Sequence, residues 1–352
     1  MRRYYIFALV LFALAACSQG QMPNGGNDDV IINLPESEYG YIFFDAETGT
    51  RGELIEPADK KLRGDFGVIG YTYMADDWTI AEVQAKPNVF DTTPQLVSYD
   101  TSDSIHTYSP IKQWLGKQKY AFFAYYPWGL TTSGGAEGNP YVDFTFSRED
   151  LANQVDVMTA YAIDTNYATH SVGFNMKHRL TALDILARNL YTSGDLTISS
   201  MSIKLNNLLY DNVRIPLNDR DEPELVYGGM ATTRTAEYTI IEQPVVVTNS
   251  KEANLTSGNA KSIIFIPQDQ HIDTNNDGEL EDFAMTGTLI VTYTDGNGTE
   301  HKDKEIDFTI NKDLKAGRRY YVQANFAAGN VNIVILESDE WTDGPKVDHD
   351  FE

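Results

Sequence analysis

Between residues 41 and 336 the apolar side chains come in short runs, mostly alternating with polar ones, and clusters of Gly, Asn, Asp and Pro separate the runs. A period of two puts every second side chain on one face, so the pattern predicts strands. A first series falls at 41–44, 66–74, 95–99, 120–126, 141–146 and 155–162. A second falls at 172–187, 196–205, 213–217, 236–241, 262–267, 287–294, 304–310, 319–326 and 331–336. No amphipathic helix of four or more turns interrupts them. So many short strands exceed one sandwich, and the chain reads as all-β with two β-sandwich domains. The polar stretch 163–171 divides the series near residue 170, giving an N-terminal domain over 36–170 and a C-terminal domain over 171–352. The segment from Leu183 to Leu205 reads as one long hairpin turning at Ser193-Gly194-Asp195.

The chain opens differently. Arg2 and Arg3 precede an apolar run from Ile6 to Leu14 that ends in small residues and the only cysteine, Cys17. This is a secretory signal, too short to span a bilayer as a mature helix. Leu14-Ala15-Ala16-Cys17 resembles a bacterial lipobox, which makes 1–16 the signal peptide and Cys17 the lipidated first mature residue. The alternative is an ordinary signal cut near Ala16. Residues 17–35 lack apolar periodicity over most of their length and read as a flexible tether between lipid and body.

Composition narrows the function. With 27 Lys+Arg against 51 Asp+Glu, the formal charge of -24 disfavours nucleic acid as a partner, because phosphate neutralisation needs a basic surface. A single cysteine excludes an internal disulfide framework and any cysteine-built metal site. The 21 Tyr and 16 Phe suit half-buried pleated surfaces. The six histidines show no ligand spacing, and His178, in an alternating strand, reads as a hydrogen-bonded structural imidazole. No Gly-x-Ser-x-Gly elbow or phosphate loop is present, so the chain is not expected to be an enzyme.

One stretch resembles a cation loop. Asp273-x-Asn275-x-Asp277-Gly278 matches the first half of an EF-hand loop, with Glu281 at its ninth position and a carbonyl near Glu279 supplying a further oxygen, which makes Ca2+ a candidate ligand. Ala284 stands where the bidentate Glu would be, and the flanks read as strands, so an acidic Asx-turn is the other reading. Trp128, in a turn beside Pro127 and Gly129, is the candidate glycan contact.

The order of several motifs carries a resemblance. A lipobox is followed by Thr50-Arg51-Gly52, then Phe66-Gly-Val-Ile-Gly-Tyr71, then Tyr120-Ala-Phe-Phe-Ala-Tyr-Tyr-Pro127. Val155-Asp-Val-Met158 then precedes Phe174-Asn-Met-Lys-His-Arg-Leu-Thr-Ala-Leu183, and Ile266-Pro-Gln268, Leu314-Lys-Ala-Gly-Arg-Arg-Tyr320 and Trp341 close the series. This order is similar to the fimbrillin-like (FimA/Mfa) lipoproteins of Bacteroidetes. The resemblance implies two tandem transthyretin-like β-sandwich domains and an outer-membrane lipoprotein at the cell surface, acting as a fimbrial (pilus) subunit or fimbria-associated adhesin. Its partners would be other fimbrial subunits and a surface receptor. It further implies cutting after an arginine, loss of the first strand and refilling of the groove by a neighbour's strand. Arg51 matches that arginine and Arg63 is a second candidate. The closing strand, with Val331, Ile333 and Ile335, is the expected donor, although an ordinary last strand has the same pattern. The alternative function is a non-polymerising surface glycan-binding lipoprotein.

Overall fold

The computed structural model describes residues 40–48, 61–74, 78, 87–116, 118–133, 140–148, 151, 154–169, 171–218, 220–256, 262–273, 277–328 and 330–337. Among them the structure is all-β, with 23 strands and no α-helix. The first eight are β1 (Phe43–Thr48), β2 (Phe66–Tyr73), β3 (Gln95–Asp100), β4 (Ile105–Thr107), β5 (Lys119–Tyr126), β6 (Thr131–Thr132), β7 (Tyr141–Thr145) and β8 (Met158–Thr165). Next come β9 (Ser171–His178), β10 (Thr181–Asn189), β11 (Leu196–Asn206), β12 (Asn212–Pro216), β13 (Val226–Tyr227), β14 (Ala236–Ile241), β15 (Val245–Val247) and β16 (Glu252–Asn254). The last are β17 (Ile263–Phe265), β18 (His271–Ile272), β19 (Glu281–Asp282), β20 (Met285–Thr294), β21 (Glu300–Ile310), β22 (Arg319–Ala327) and β23 (Asn330–Glu337).

A seven-stranded sheet, in the order β1-β9-β8-β5-β2-β3-β4, carries the N-terminal part. Its strands are aromatic on both faces. Phe66, Val68, Phe122, Ala124, Phe174 and Met176 form one core on one face. From the opposite face Ile69, Tyr71, Tyr73, Phe123 and Tyr125 join a second core. That second core includes Val142 and Phe144 of β7 and Val213 and Ile215 of β12, and it continues into the C-terminal sheets. There a sheet ordered β16-β10-β22-β23 faces one ordered β14-β11-β20-β21, and Tyr293 meets Phe326 edge-on at 5.0 Å between them. In β20 burial alternates at every residue, as its sequence predicts.

Two expectations change. The run 172–187 is not one strand: β9 ends at His178 and β10 starts at Thr181 in another sheet. The switch is fixed by polar anchors, His178 Nδ1 at 2.7 Å from Asp156 and the Arg179 amide donating to the Val157 carbonyl at 2.8 Å. The expected hairpin from Leu183 to Leu205 is an arch, because β10 and β11 lie in different sheets. Buried Asn189 shapes it, donating to the carbonyls of Gly194 and Val247 and accepting from the Tyr191 amide. Gly194 has φ +82, and a Cβ there would sit 2.1 Å from the Gly296 carbonyl oxygen, so two backbones touch where only glycine fits. The seven-stranded sheet ends its chain-order run with β9, and β12 pairs antiparallel with β7 from Asn212↔Thr145 to Pro216↔Tyr141. A period-two pattern is silent on which neighbour a strand selects, so these pairings had no signal in it.

Candidate functional site

The residues of β1 and its approach alternate strictly. Ile42, Phe44 and Ala46 are buried, while Tyr41, Phe43 and Glu47 are exposed. The Phe44 ring lies 5.2 to 6.1 Å from the rings of Phe122, Tyr108, Phe174 and Phe90. Burying an Ile or Phe side chain contributes about 1.5–3 kcal/mol, so this segment is a principal part of the first core.

Strand β1 is held along both edges. On one side it runs parallel to β9 from Phe43↔Ser171 to Thr48↔Met176. On the other, the Ile42 amide donates to the Lys112 carbonyl at 2.9 Å, the Trp114 amide to Gly40 at 3.1 Å and the Leu62 amide to Ala46 at 2.9 Å. The Tyr108 hydroxyl donates to the Ile42 carbonyl at 2.9 Å. Isolated bridges pair Tyr41 with Gln113 and Glu47 with Lys61. A strand captured this way occupies a groove whose walls would hold unpaired donors and acceptors without it.

Asp45 adds a charged contact at the groove's rim. Its Oδ1 lies 3.1 Å from Nδ1 of His106 on β4 and 3.4 Å from the Lys61 ammonium. The His106 side chain is fully buried, with Phe66 edge-on at 5.1 Å and Tyr99 at 5.2 Å. Burial lowers the His106 pKa, opposed by the hydrogen bond to Asp45. The neutral ring therefore donates its Nδ1 proton to the carboxylate. Neither His106 nor Lys61 carried a recognisable signal in the sequence, because both partners of Asp45 are distant along the chain.

The expected site residues are dispersed. Cys17, Arg51 and Asn275 lie outside the described residues. Arg63 is exposed between the Lys61 bridge and β2. Val331, Ile333 and Ile335 are half-buried against the core of their own sheets, and β23 pairs along its full length with β22.

Asp273 and Asp277 lie in the loop of the β18–β19 hairpin. The two oxygens of Asp273 accept from the amides of Asp277 and Gly278, and Asp277 accepts from the Glu279 amide. That is an acidic Asx-type turn, with Gly278 at φ +87. Glu279 is exposed there and Glu281 belongs to β19. Among the described residues no group of three or more His, Cys, Asp or Glu side chains is placed to hold a metal ion. Trp128 is exposed, with its ring stacked 6.3 Å from that of Tyr125.

The profile of the fimbrillin-like family matches residues 76–339. The chain belongs to the fimbrillin-like family. Its fold is similar to that of a fimbrial protein from Bacteroides vulgatus, with a TM-score of 0.56 and 15% identity, covering 86% of this chain and 99% of that one. It is also similar to a candidate cell adhesion protein from Bacteroides ovatus, with a TM-score of 0.52 and 15% identity over 86% of this chain and 98% of that one. At such identity the likeness speaks to fold alone. No curated protein matches the sequence. Family membership makes this fimbrillin-like protein a fimbrial subunit or adhesin of the cell surface.

Proposed function

We propose that this fimbrillin-like protein is exported as an outer-membrane lipoprotein anchored through Cys17 and assembles with other subunits by strand exchange. Cleavage after Arg51, or at exposed Arg63, severs β1 from the body, and a neighbour's strand then fills the groove. The two tandem sandwiches would form the two ends of each subunit, with β23 as the donor. The observation that carries this reading is the capture of β1 along both edges with Ile42, Phe44 and Ala46 pointing into one core. A vacated groove of that shape offers backbone hydrogen bonds and alternate side-chain sites, the two elements of β-augmentation. Limited digestion with a trypsin-like protease should convert monomer into a ladder of oligomers that survives mild denaturant. The double variant Arg51→Ala, Arg63→Ala should remain monomeric under the same digestion. Cleaved protein that stays monomeric at high concentration would overturn strand exchange and leave a non-polymerising adhesin.

A further inference from the structure

The outward side of β1 and its approach carries an apolar face that strand capture leaves unused. Tyr41 and Phe43 are 51% and 48% exposed, with their rings 6.5 Å apart. Tyr41 pairs antiparallel with Gln113, and the Ile42 amide donates to the Lys112 carbonyl. That register sets Ile111 across from Phe43 and Leu115 beyond Gln113 on the same side. Ile111 and Leu115 are 46% and 44% exposed. Along the other edge Phe43 lies across from Ser171, and Asp45 across from Gly173, which adds no side chain. Tyr167 is exposed in the short turn Tyr167–Thr169 that leads into β9. We infer that this face docks the uncleaved protein on the headgroup layer of the bilayer that holds the lipid of Cys17, an inference that rests on the lipid-anchor reading.

Position, chemistry and processing favour a lipid surface over other occupants. The chain that leads from Cys17 enters the described body at Gly40, next to Tyr41. Read as a flexible tether, residues 17–35 span roughly 25 Å. The anchor therefore holds this face near the bilayer at high effective concentration. Aromatic rings with aliphatic neighbours suit the boundary between headgroups and acyl chains, where a ring is buried while a tyrosine hydroxyl stays wet. The charges beside the face are paired, Asp45 with Lys61 at 3.4 Å and Lys112 with Asp91 at 2.7 Å, which lowers the cost of bringing them toward lipid. An exposed apolar patch of this kind marks a surface that meets a protein or a membrane. On the strand-exchange reading, cleavage after Arg51 and replacement of β1 remove Tyr41 and Phe43 together with the anchor. The face then belongs to the anchored protein and not to a contact between assembled subunits. Lipid chains reinforced by a protein contact hold a body to the membrane more durably than one chain alone.

The test uses the full mature lipidated chain in vesicles of phosphatidylethanolamine and phosphatidylcholine, with Gln113→Cys labelled by an environment-sensitive dye in the middle of the face. Cys17 is the only cysteine of the chain, so its lipid leaves the new thiol as the sole point of attachment. On vesicles the dye should shift its emission to the blue and be quenched by lipids spin-labelled near the headgroup. The same dye at Lys302→Cys on β21 should show neither effect. Tyr41→Ser with Phe43→Ser, and separately Ile111→Ser with Leu115→Ser, should each abolish the shift and the quenching while the far-ultraviolet circular dichroism is unchanged. Equal quenching at the two dye positions, or quenching that survives both pairs of changes, overturns the docking. A blue shift of the soluble Cys17→Ser protein that grows with concentration in the absence of lipid also overturns it, because a second copy then covers the face. Soluble protein whose Cys17 carries no lipid by mass spectrometry overturns the anchoring reading, and the docking with it, before any dye is attached.

Discussion

The first and last strands among the described residues both carry apolar positions, yet they are held in different ways. β1 is bonded along both edges and sends Ile42, Phe44 and Ala46 fully into a core. Among the described residues β23 is bonded along one edge, to β22, and its apolar residues are only half-buried. The other strand near that open side, β21, protects its edge with Glu300, Lys302, Asp303, Lys304, Glu305 and Asp307. β23 has a single charge, Glu337, at its end. An edge strand with so little charge is the kind that natural sheets otherwise avoid, because it templates further pairing. The contrast separates a segment whose loss opens the core from one that can leave at lower cost.

Truncation tests that contrast most severely. Phe44→Ala should lower unfolding stability by about 3–5 kcal/mol, the range for emptying a fully packed aromatic site, as measured by urea denaturation. Ile333→Ala in β23 should cost about 1–2 kcal/mol, below the usual fully buried range because the site is half-exposed. Equal losses at the two positions would remove the distinction between the strands.

The rim of the β1 groove should make its hold dependent on pH. His106 titrates below its ordinary value in the folded chain, chiefly because burial disfavours the imidazolium. The folded state therefore binds fewer protons than the unfolded one in the window below about pH 6.5. Stability from this site is complete above that pH and declines as pH falls through the folded pKa. In paired denaturation curves from pH 7.5 to pH 5, His106→Gln should show a shallower loss than the natural protein. An identical slope would detach His106 from the latch.

The smallest effect is expected in the β18–β19 turn. Asp273→Ala removes acceptors for two backbone amides in an exposed turn and should cost about 0.5–1.5 kcal/mol. If the turn acts alone, the loss is the same in excess calcium as in chelator. A melting temperature that rises with calcium only in the natural protein would make the loop a cation site, and would give stability a source outside the contrast between β1 and β23.

Much of this was legible in the chain. Alternation located most of the long strands within a few residues, because a half-buried strand must place apolar groups at every second position. The alternating segment at 287–294 was the clearest case, and the continuous apolar run at 120–126 announced a strand buried on both faces. The groove was only half legible: Tyr41-Ile-Phe-Phe44 announced a strand, but not its neighbours. Short elements such as β4, β13 and β16, three residues or fewer, gave too few positions for a period to show.

Local polarity along the chain therefore carries the class of structure, the inward and outward faces of its strands and the order of motifs that marks its family. Tertiary structure alone decided that β1 lies parallel to β9, that the chain changes sheets at Arg179, that β12 reaches back to β7 and that His106 meets Asp45. The reason is physical. Burial of a side chain is encoded locally by its own polarity, whereas the choice among equally apolar partners depends on shape, register and hydrogen bonds that exist only once distant segments have come together.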